Sequence, residues 1–128
     1  MIGPLTELEG LSVRVTNVIY MPSLDAPAEK PHPFVYFITI INRSPETVVI
    51  RGRKWVVRED DGETTVVEGD GVVGQTPEIE TGAEFSYNSY HVVRTGAKAA
   101  GAFFGETSDG RHIFVRIPEF RLAPPGTA

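Results

Sequence analysis

Glycine and proline divide this chain into short segments rich in β-branched and aromatic residues, and this division constrains the fold more than any other feature. The 13 glycines and 10 prolines fall between those segments, and no stretch has the apolar period of an amphipathic helix. Short strands separated by turn residues are typical of sandwiches and barrels. A chain of 128 residues is long enough to bury one core. We therefore predict a single all-β domain over residues 1–128, with its core within about 11–122 and a flexible tail over 123–128.

The predicted strands follow from alternation and from the turn residues that bound each segment. Apolar and polar residues alternate from Leu11 to Thr16, which predicts one buried and one exposed face. Asp61-Gly62 and Asp109-Gly110 are typical hairpin pairs, and Pro118 is predicted to end the last strand. The predicted strands span residues 11–20, 34–41, 47–59, 63–67, 84–90, 100–106 and 111–117.

The third predicted strand is long, and its alternation breaks in the middle. Val48 and Ile50 share one face, whereas Trp55 and Val57 fall on the opposite face by simple counting. One extra residue in the strand would return all four side chains to the same face. We therefore predict a β-bulge near Gly52-Arg53 and a core that contains all four apolar residues.

Composition excludes several classes of function. The chain has no cysteine, which excludes disulfides, thiol nucleophiles and thiolate metal sites and is typical of a reducing compartment, so we expect a cytoplasmic protein. The first residues carry no basic or apolar region of a signal peptide, and no apolar run approaches the ~20 residues needed to span a bilayer. A net charge of −5 disfavours nucleic acid as a partner.

A glycine-rich segment, Gly69–Gly74, matches the pattern G-x-G-x-x-G. In a dinucleotide site these glycines let the backbone approach a pyrophosphate at the start of a helix. Residues 75–82 contain a proline and a glycine and have no helical period, so that site is not predicted. A structural loop whose glycines adopt positive φ is favoured.

Anion binding by the same loop is the alternative, because successive backbone N–H groups can cradle an anion without a helix. The glycines would supply the backbone donors, and basic residues of the third strand would supply charge if that strand runs beside the loop. The candidate ligand-binding residues are Gly69, Gly71, Gly74, Arg51, Arg53 and Lys54.

Several blocks of residues, over roughly residues 11–122, have a combination and spacing that is specific to one family. They are Tyr36, Thr39-Ile40, Asn42, Arg53, Trp55, Gly69–Gln75, Pro77, Gly82, Phe85–Ser89, Gly101, Phe103, Asp109-Gly110, Phe114, Val115, Ile117-Pro118, Phe120 and Leu122. In these blocks the chain resembles the ApaG family. Lys54 stands where that family usually has His, Tyr90-His91 where a Gly-Cys pair is common, and Ala99 where Met is frequent.

The resemblance implies a fibronectin type III or immunoglobulin-like antiparallel β-sandwich of two sheets, in agreement with the strand pattern. It links the chain to cobalt resistance and magnesium efflux. It also implies a protein-interaction role, as in eukaryotic F-box proteins that contain the domain, and pyrophosphate binding by the glycine loop. No enzymatic activity is established for the family.

Scattered histidines and serines give no catalytic or metal-binding pattern. His32, His91 and His112 have no metal-ligand spacing. Ser89 and His91 would share a face of one strand, but neither a nucleophile elbow nor an oxyanion-hole motif accompanies them. We therefore predict no enzymatic activity, no cofactor and no metal site.

A binding module that recognises an unidentified protein partner is the predicted function, because a sandwich offers strand edges and loop clusters for recognition. Such a protein should expose a contiguous apolar patch. The alternative is a sensor of pyrophosphate or a nucleotide at the glycine loop. Monomer and homodimer are both compatible with the sequence.

Overall fold

Residues 4–126, which the computed structural model describes, form nine strands and no helix. That part of the chain therefore has no helix long and apolar enough to cross a membrane. The strands are β1 (Thr6–Glu7), β2 (Leu11–Tyr20), β3 (His32–Asn42), β4 (Val48–Glu59), β5 (Thr64–Asp70), β6 (Glu78–Ile79), β7 (Glu84–Val93), β8 (Ala97–Thr107) and β9 (His112–Leu122).

Two sheets make up the fold. The larger has the order β1-β9-β8-β4-β5, with β6 also paired to β4, and the smaller has the order β2-β3-β7. All pairs are antiparallel except β1 with β9, which is parallel. The predicted all-β sandwich of two sheets is confirmed. The two-residue strands β1 and β6 were not predicted, because segments so short carry no alternation.

The β-bulge predicted near Gly52-Arg53 is present in β4, one residue before Gly52. The register of β4 with β8 shifts between Ile50 and Gly52, so Arg51 is the extra residue. The bulge brings both halves of the strand onto one face, as predicted. Val48, Ile50, Trp55 and Val57 are all buried in the core.

Pro118 does not end the last strand, and that prediction is wrong. β9 continues to Leu122, because the register with β8 shifts where Ala99 pairs with Phe120 and Gly101 with Ile117. Pro118 falls inside this bulge, where its missing N–H removes no ladder hydrogen bond.

The C-terminal tail, predicted to be flexible, is described only in part. Residues 127–128 lie outside the described part of the chain, and Pro124 is buried.

The core lies between the sheets and is filled by large apolar side chains. Ile38 and Ile40 of β3 face Trp55 of β4 and Phe103 of β8, and each is at most 1% exposed. On one side of the sandwich β2 packs beside β9. On the other side β5 and β7 are the last strands of their sheets, and a cleft opens between them.

Candidate functional site

The glycine loop is a tight turn at the end of β5. Val72 and Gln75 pair across it, with Val73 at φ 44° and Gly74 at φ 80° between them. Positive φ at both central positions is the geometry of a type I′ turn. Gly71 also has positive φ, and a Cβ there would lie 2.5 Å from the Gln75 carbonyl oxygen. The loop is followed by no helix within residues 4–126.

Three backbone N–H groups at this loop donate hydrogen bonds within the protein. The amide of Gly71 donates to the Arg51 carbonyl at 2.7 Å. The amides of Val72 and Gln75 each donate to the other's carbonyl, at 2.7 and 2.9 Å. An anion nest needs several successive free N–H groups, and these three donors are already engaged.

Arg53 is the basic residue that contacts the loop. Its Nη1 donates to the carbonyls of Asp70 at 2.8 Å and Gly71 at 3.1 Å. Arg53 pairs with Gly69 across β4 and β5, and a Cβ on Gly69 would lie 2.8–2.9 Å from the guanidinium group. Gly69 is therefore required for close approach of Arg53, and not for positive φ, which it lacks. The loop acts as a carbonyl cradle for a cation.

The other two predicted basic residues have acidic partners away from the loop. Arg51 donates through Nε and Nη2 to Glu106 at 3.0 and 2.7 Å. Lys54 lies 3.5 Å from the Glu68 carboxylate. Of the three, the structure brings only the Arg53 side chain together with the glycines.

The cleft between β5 and β7 has a volume of about 300 Å³. Its walls are apolar and aromatic, and two cations, Lys30 and Arg53, line it. No aspartate or glutamate within residues 4–126 lines it. Lys30 is paired with Glu63, whose carboxylate lies 3.2 Å from Nζ, so Arg53 is the cation of the lining that has no acidic partner among the described residues. Arg53 thus connects the glycine loop to the cleft, and the cleft favours a group of negative charge.

Three rings meet at the floor of the cleft. The ring centroids of Tyr36 lie 4.8 Å from Trp55 and 4.6 Å from His91, and Trp55 lies 4.7 Å from His91. Trp55 Nε1 and His91 Nε2 are buried and have no hydrogen-bond partner within residues 4–126. Unpaired buried polar atoms cost free energy, so these two atoms mark a place where a ligand could supply the missing partners.

Burial controls the ionisation of the polar groups around this floor. It lowers the pKa of His91 to about 4, so the imidazole is neutral near neutral pH. It also raises the pKa of Tyr36, against the opposing effects of the Ser89 hydroxyl and the Arg53 charge. Tyr87, whose hydroxyl likewise has no partner there, has a pKa raised by burial.

Acidification is expected to destabilise the fold through His91. Because the folded state disfavours the imidazolium, His91 has no effect above its ordinary pKa of 6.5 and opposes folding increasingly as the pH falls towards 4. The shift corresponds to a loss of about 3 kcal/mol. Urea unfolding across this pH range should therefore show a steeper loss of unfolding free energy in the natural protein than in His91→Phe.

The difference between the two proteins isolates His91 in that experiment. Hydrogen bonds lower the pKa values of Asp60, Glu63 and Asp109, and these carboxyl groups are the same in both proteins. Equal pH slopes for the two proteins would contradict the prediction.

Ser89 and His91 line the same cleft, as their spacing on one strand predicted. No carboxylate lines the cleft to orient the imidazole. Within residues 4–126 no group of three or more His, Cys, Asp or Glu side chains is placed to hold a metal ion.

Sequence reasoning missed that Tyr36, Trp55 and His91 form part of a site. A partial signal was present, because Arg53 and Trp55 are two residues apart on one strand and so share a face.

Comparison with known proteins gives a consistent result. The ApaG domain family model matches residues 22–105. A Protein ApaG from Pseudomonas paraeruginosa is 38% identical over 117 residues, which cover 91% of this chain and 92% of that protein. A Protein ApaG from Shewanella sediminis is 34% identical over 124 residues, which cover 95% and 98%. A crystal structure described as that of an ApaA protein from Bordetella pertussis superposes with a TM-score of 0.82 at 30% identity, covering 97% of this chain and all of that one.

Proposed function

The chain belongs to the ApaG domain family, and from this membership and the geometry of its cleft we propose that it is a non-catalytic binding module for a partner protein. The observation that carries the proposal is the position of the cleft. It lies between two terminal strands and is lined by Arg53. Among the described residues no carboxylate lines it, and two buried polar atoms at its floor have no hydrogen-bond partner.

Exposed apolar residues around the cleft support a protein as the partner. Within residues 4–126 the exposed large apolar side chains include Val67 of β5 and Tyr90 of β7, which line the cleft, and Val73 of the glycine loop at its Arg53 end. Val66 is also exposed, but it lies on the opposite face of β5. Exposed apolar surface beside a cleft is typical of protein interaction sites.

A small-anion sensor is the second candidate, and Arg53 is the observation that favours it. Arg53 has no carboxylate partner among its contacts in the described part of the chain, and a pyrophosphate or nucleotide could bind it from the cleft. The engaged amides of the glycine loop argue against binding at the loop itself. The apolar rim is better matched to a protein.

A role in cobalt resistance or magnesium efflux would be exerted through the bound partner in this proposal. We also propose a cytoplasmic location, because a chain without cysteine is typical of a reducing compartment.

Site-specific photocrosslinking in cells tests the proposal. A benzophenone amino acid in place of Tyr90, which is 41% exposed at the cleft, is expected to form an adduct with a defined protein. The same amino acid in place of Leu5, which is 50% exposed and does not line this cleft, is the control and should not form that adduct. Adduct formation at Tyr90 should be lost in Arg53→Gln.

Two results would count against a protein partner. One is an adduct that forms equally from both positions or survives Arg53→Gln. The other is a rise in the unfolding midpoint with millimolar pyrophosphate, ATP or diadenosine tetraphosphate that Arg53→Gln abolishes. A ligand at about 100 times its dissociation constant adds about 2.7 kcal/mol of stability, so such a rise would be readily measured and would favour the anion sensor.

A further inference from the structure

β7 borders the cleft with its edge, whereas β5 borders it with one face. Four consecutive residues of β7, Ser89–Val92, line the cleft. Successive side chains of a strand point to opposite faces, so a run of four means that the backbone edge is turned towards the cleft. From β5 only Thr65 and Val67 line it, and these alternate residues share a face.

The edge of β7 has no partner strand in the described part of the chain. β7 pairs with β3 alone, from Glu84 to Val93, and that register has no bulge. In an antiparallel strand, alternate residues direct both N–H and C=O to the free edge. The part of the edge at the cleft therefore offers a short row of backbone donors and acceptors.

Natural proteins protect such edges with lysine, proline or a bulge. Two other edges are protected in this way: β2 has a bulge between Val15 and Asn17, and β9 has Pro118 in a bulge. The terminal strand β5, on the other side of the cleft, has no lysine, proline or bulge. β7 has neither lysine nor proline. The segment between β2 and β3 approaches this edge at one side of the cleft, where the Tyr90 hydroxyl donates to the Asp25 carbonyl at 3.3 Å and Lys30 lines the cleft.

The lining of the cleft defines the chemistry of what pairs with this edge. Arg53 is held through Nη1 by two loop carbonyls, and the rest of its guanidinium group can donate to a carboxylate in forked geometry. Trp55 Nε1, which is buried at the floor of the cleft, is a second donor without a partner within residues 4–126. The volume of about 300 Å³ is at the lower end of the range for ligand pockets, which suits side chains of an extended segment.

We propose that an extended, carboxylate-bearing segment of a partner protein adds as a strand to the free edge of β7 and places its carboxylate against Arg53. This inference rests on the proposed function and specifies the form of the partner. Alternate side chains of the added strand enter the cleft, so the acidic residue and an apolar residue two positions away face Arg53 and the ring cluster of Tyr36, Trp55 and His91. The glycine loop then serves to hold Arg53 in position.

Selection of short random peptides on the purified full-length protein tests this inference. Selected peptides are expected to share an acidic residue at a fixed position with an apolar residue two positions away. Their affinity can be followed by the fluorescence of Trp55, the single tryptophan in the chain. Arg53→Gln is expected to weaken binding about tenfold or more, while Arg51→Gln, an exposed arginine on the same strand outside the cleft, is the matched control and should leave affinity unchanged.

Backbone methylation of the selected peptide tests strand addition directly. N-methylation at alternate positions should weaken binding about tenfold or more for one set of positions and have little effect for the other set, because only one set donates to β7. Arg53→Gln has a shorter side chain than arginine and loses the contacts of Nη1 with the loop carbonyls, so circular dichroism and a thermal melt are used to verify that this variant is folded.

Three results would overturn the inference. They are peptides without a required acidic residue, equal sensitivity to methylation at both sets of positions, and a failure to select any peptide. If the Tyr90 crosslink depends on Arg53 in any of these cases, the binding module stands and its partner presents a folded surface. If that crosslink also fails, the proposed function is wrong.

Discussion

Replacing Trp55 by alanine is expected to lower the free energy of unfolding by about 4 kcal/mol. Trp55 is 1% exposed, and its ring packs on Tyr36, His91 and Phe120 with centroid distances of 4.8, 4.7 and 5.9 Å. These neighbours come from three strands in both sheets, so they cannot collapse together to fill the space. For a chain of this length the loss corresponds to a fall in the midpoint of thermal unfolding of roughly 15 °C.

Trp55→Phe is the matched variant for this experiment. It keeps an aromatic ring in the core and removes Nε1–H, which has no partner within residues 4–126. Because no hydrogen bond is lost, the expected cost is only about 1 kcal/mol. Unfolding in urea, followed by far-ultraviolet circular dichroism because both variants lack tryptophan, measures the two costs. Similar costs for alanine and phenylalanine would show that packing of the ring is not the main contribution.

Most of the longer strands could be predicted because one face is more buried than the other, whereas β3 is apolar and largely buried on both faces and was predicted from its continuous apolar run. The alternation was strong enough to locate the irregularity of β4 from Val48, Ile50, Trp55 and Val57 alone. The prediction failed at Pro118, where a local rule was applied without the sheet. Whether a proline ends a strand depends on whether its N–H faces a partner, and that is decided by the register of β9 with β8.

The residues of the candidate site were only partly predictable. The glycine pattern identified the loop, but the same pattern is compatible with an anion nest and with a cradle for a side chain. Only the pairing of Arg53 with Gly69 distinguishes the anion nest from the side-chain cradle. That pairing is set by the register of β4 with β5, which the local sequence does not give. The cleft depends on the separation of two sheet edges, which no local pattern records.

Positions where this chain departs from the family pattern fall on different surfaces. Lys54, in place of the usual histidine, pairs with Glu68 and does not line the cleft between β5 and β7. Tyr90 and His91, in place of a common Gly-Cys pair, both line it. Tyr90 and His91 therefore contribute to the aromatic lining of the cleft in this chain.

Replacing Asn42 by leucine is expected to cost about 3 kcal/mol, because this side chain joins the two sheets. Asn42 ends β3 and is completely buried. Its Nδ2 donates to the carbonyls of Glu46 and Ile79, both at 2.8 Å, and Ile79 belongs to β6 of the other sheet. Its Oδ1 accepts from the amide and hydroxyl of Ser44 at 3.0 and 2.7 Å. Leucine has a similar size but removes all four bonds. The Ser44 hydroxyl and the Glu46 carbonyl still pair with each other at 3.0 Å, whereas the Ser44 amide and the Ile79 carbonyl lose the partner that Asn42 provides.

Two further variants separate the hydrogen bonds of Asn42 from its volume. Asn42→Asp keeps the acceptor but places a carboxylate oxygen against two carbonyl oxygens, so it should cost at least as much as leucine near neutral pH. Asn88→Leu, at an exposed position of β7, should change the unfolding free energy by no more than about 0.5 kcal/mol. Urea unfolding of all three variants gives the comparison. If Asn42→Asp were as stable as the natural protein, the two donated bonds of Nδ2 would contribute nothing, and the connection between β3 and β6 would be a matter of packing alone.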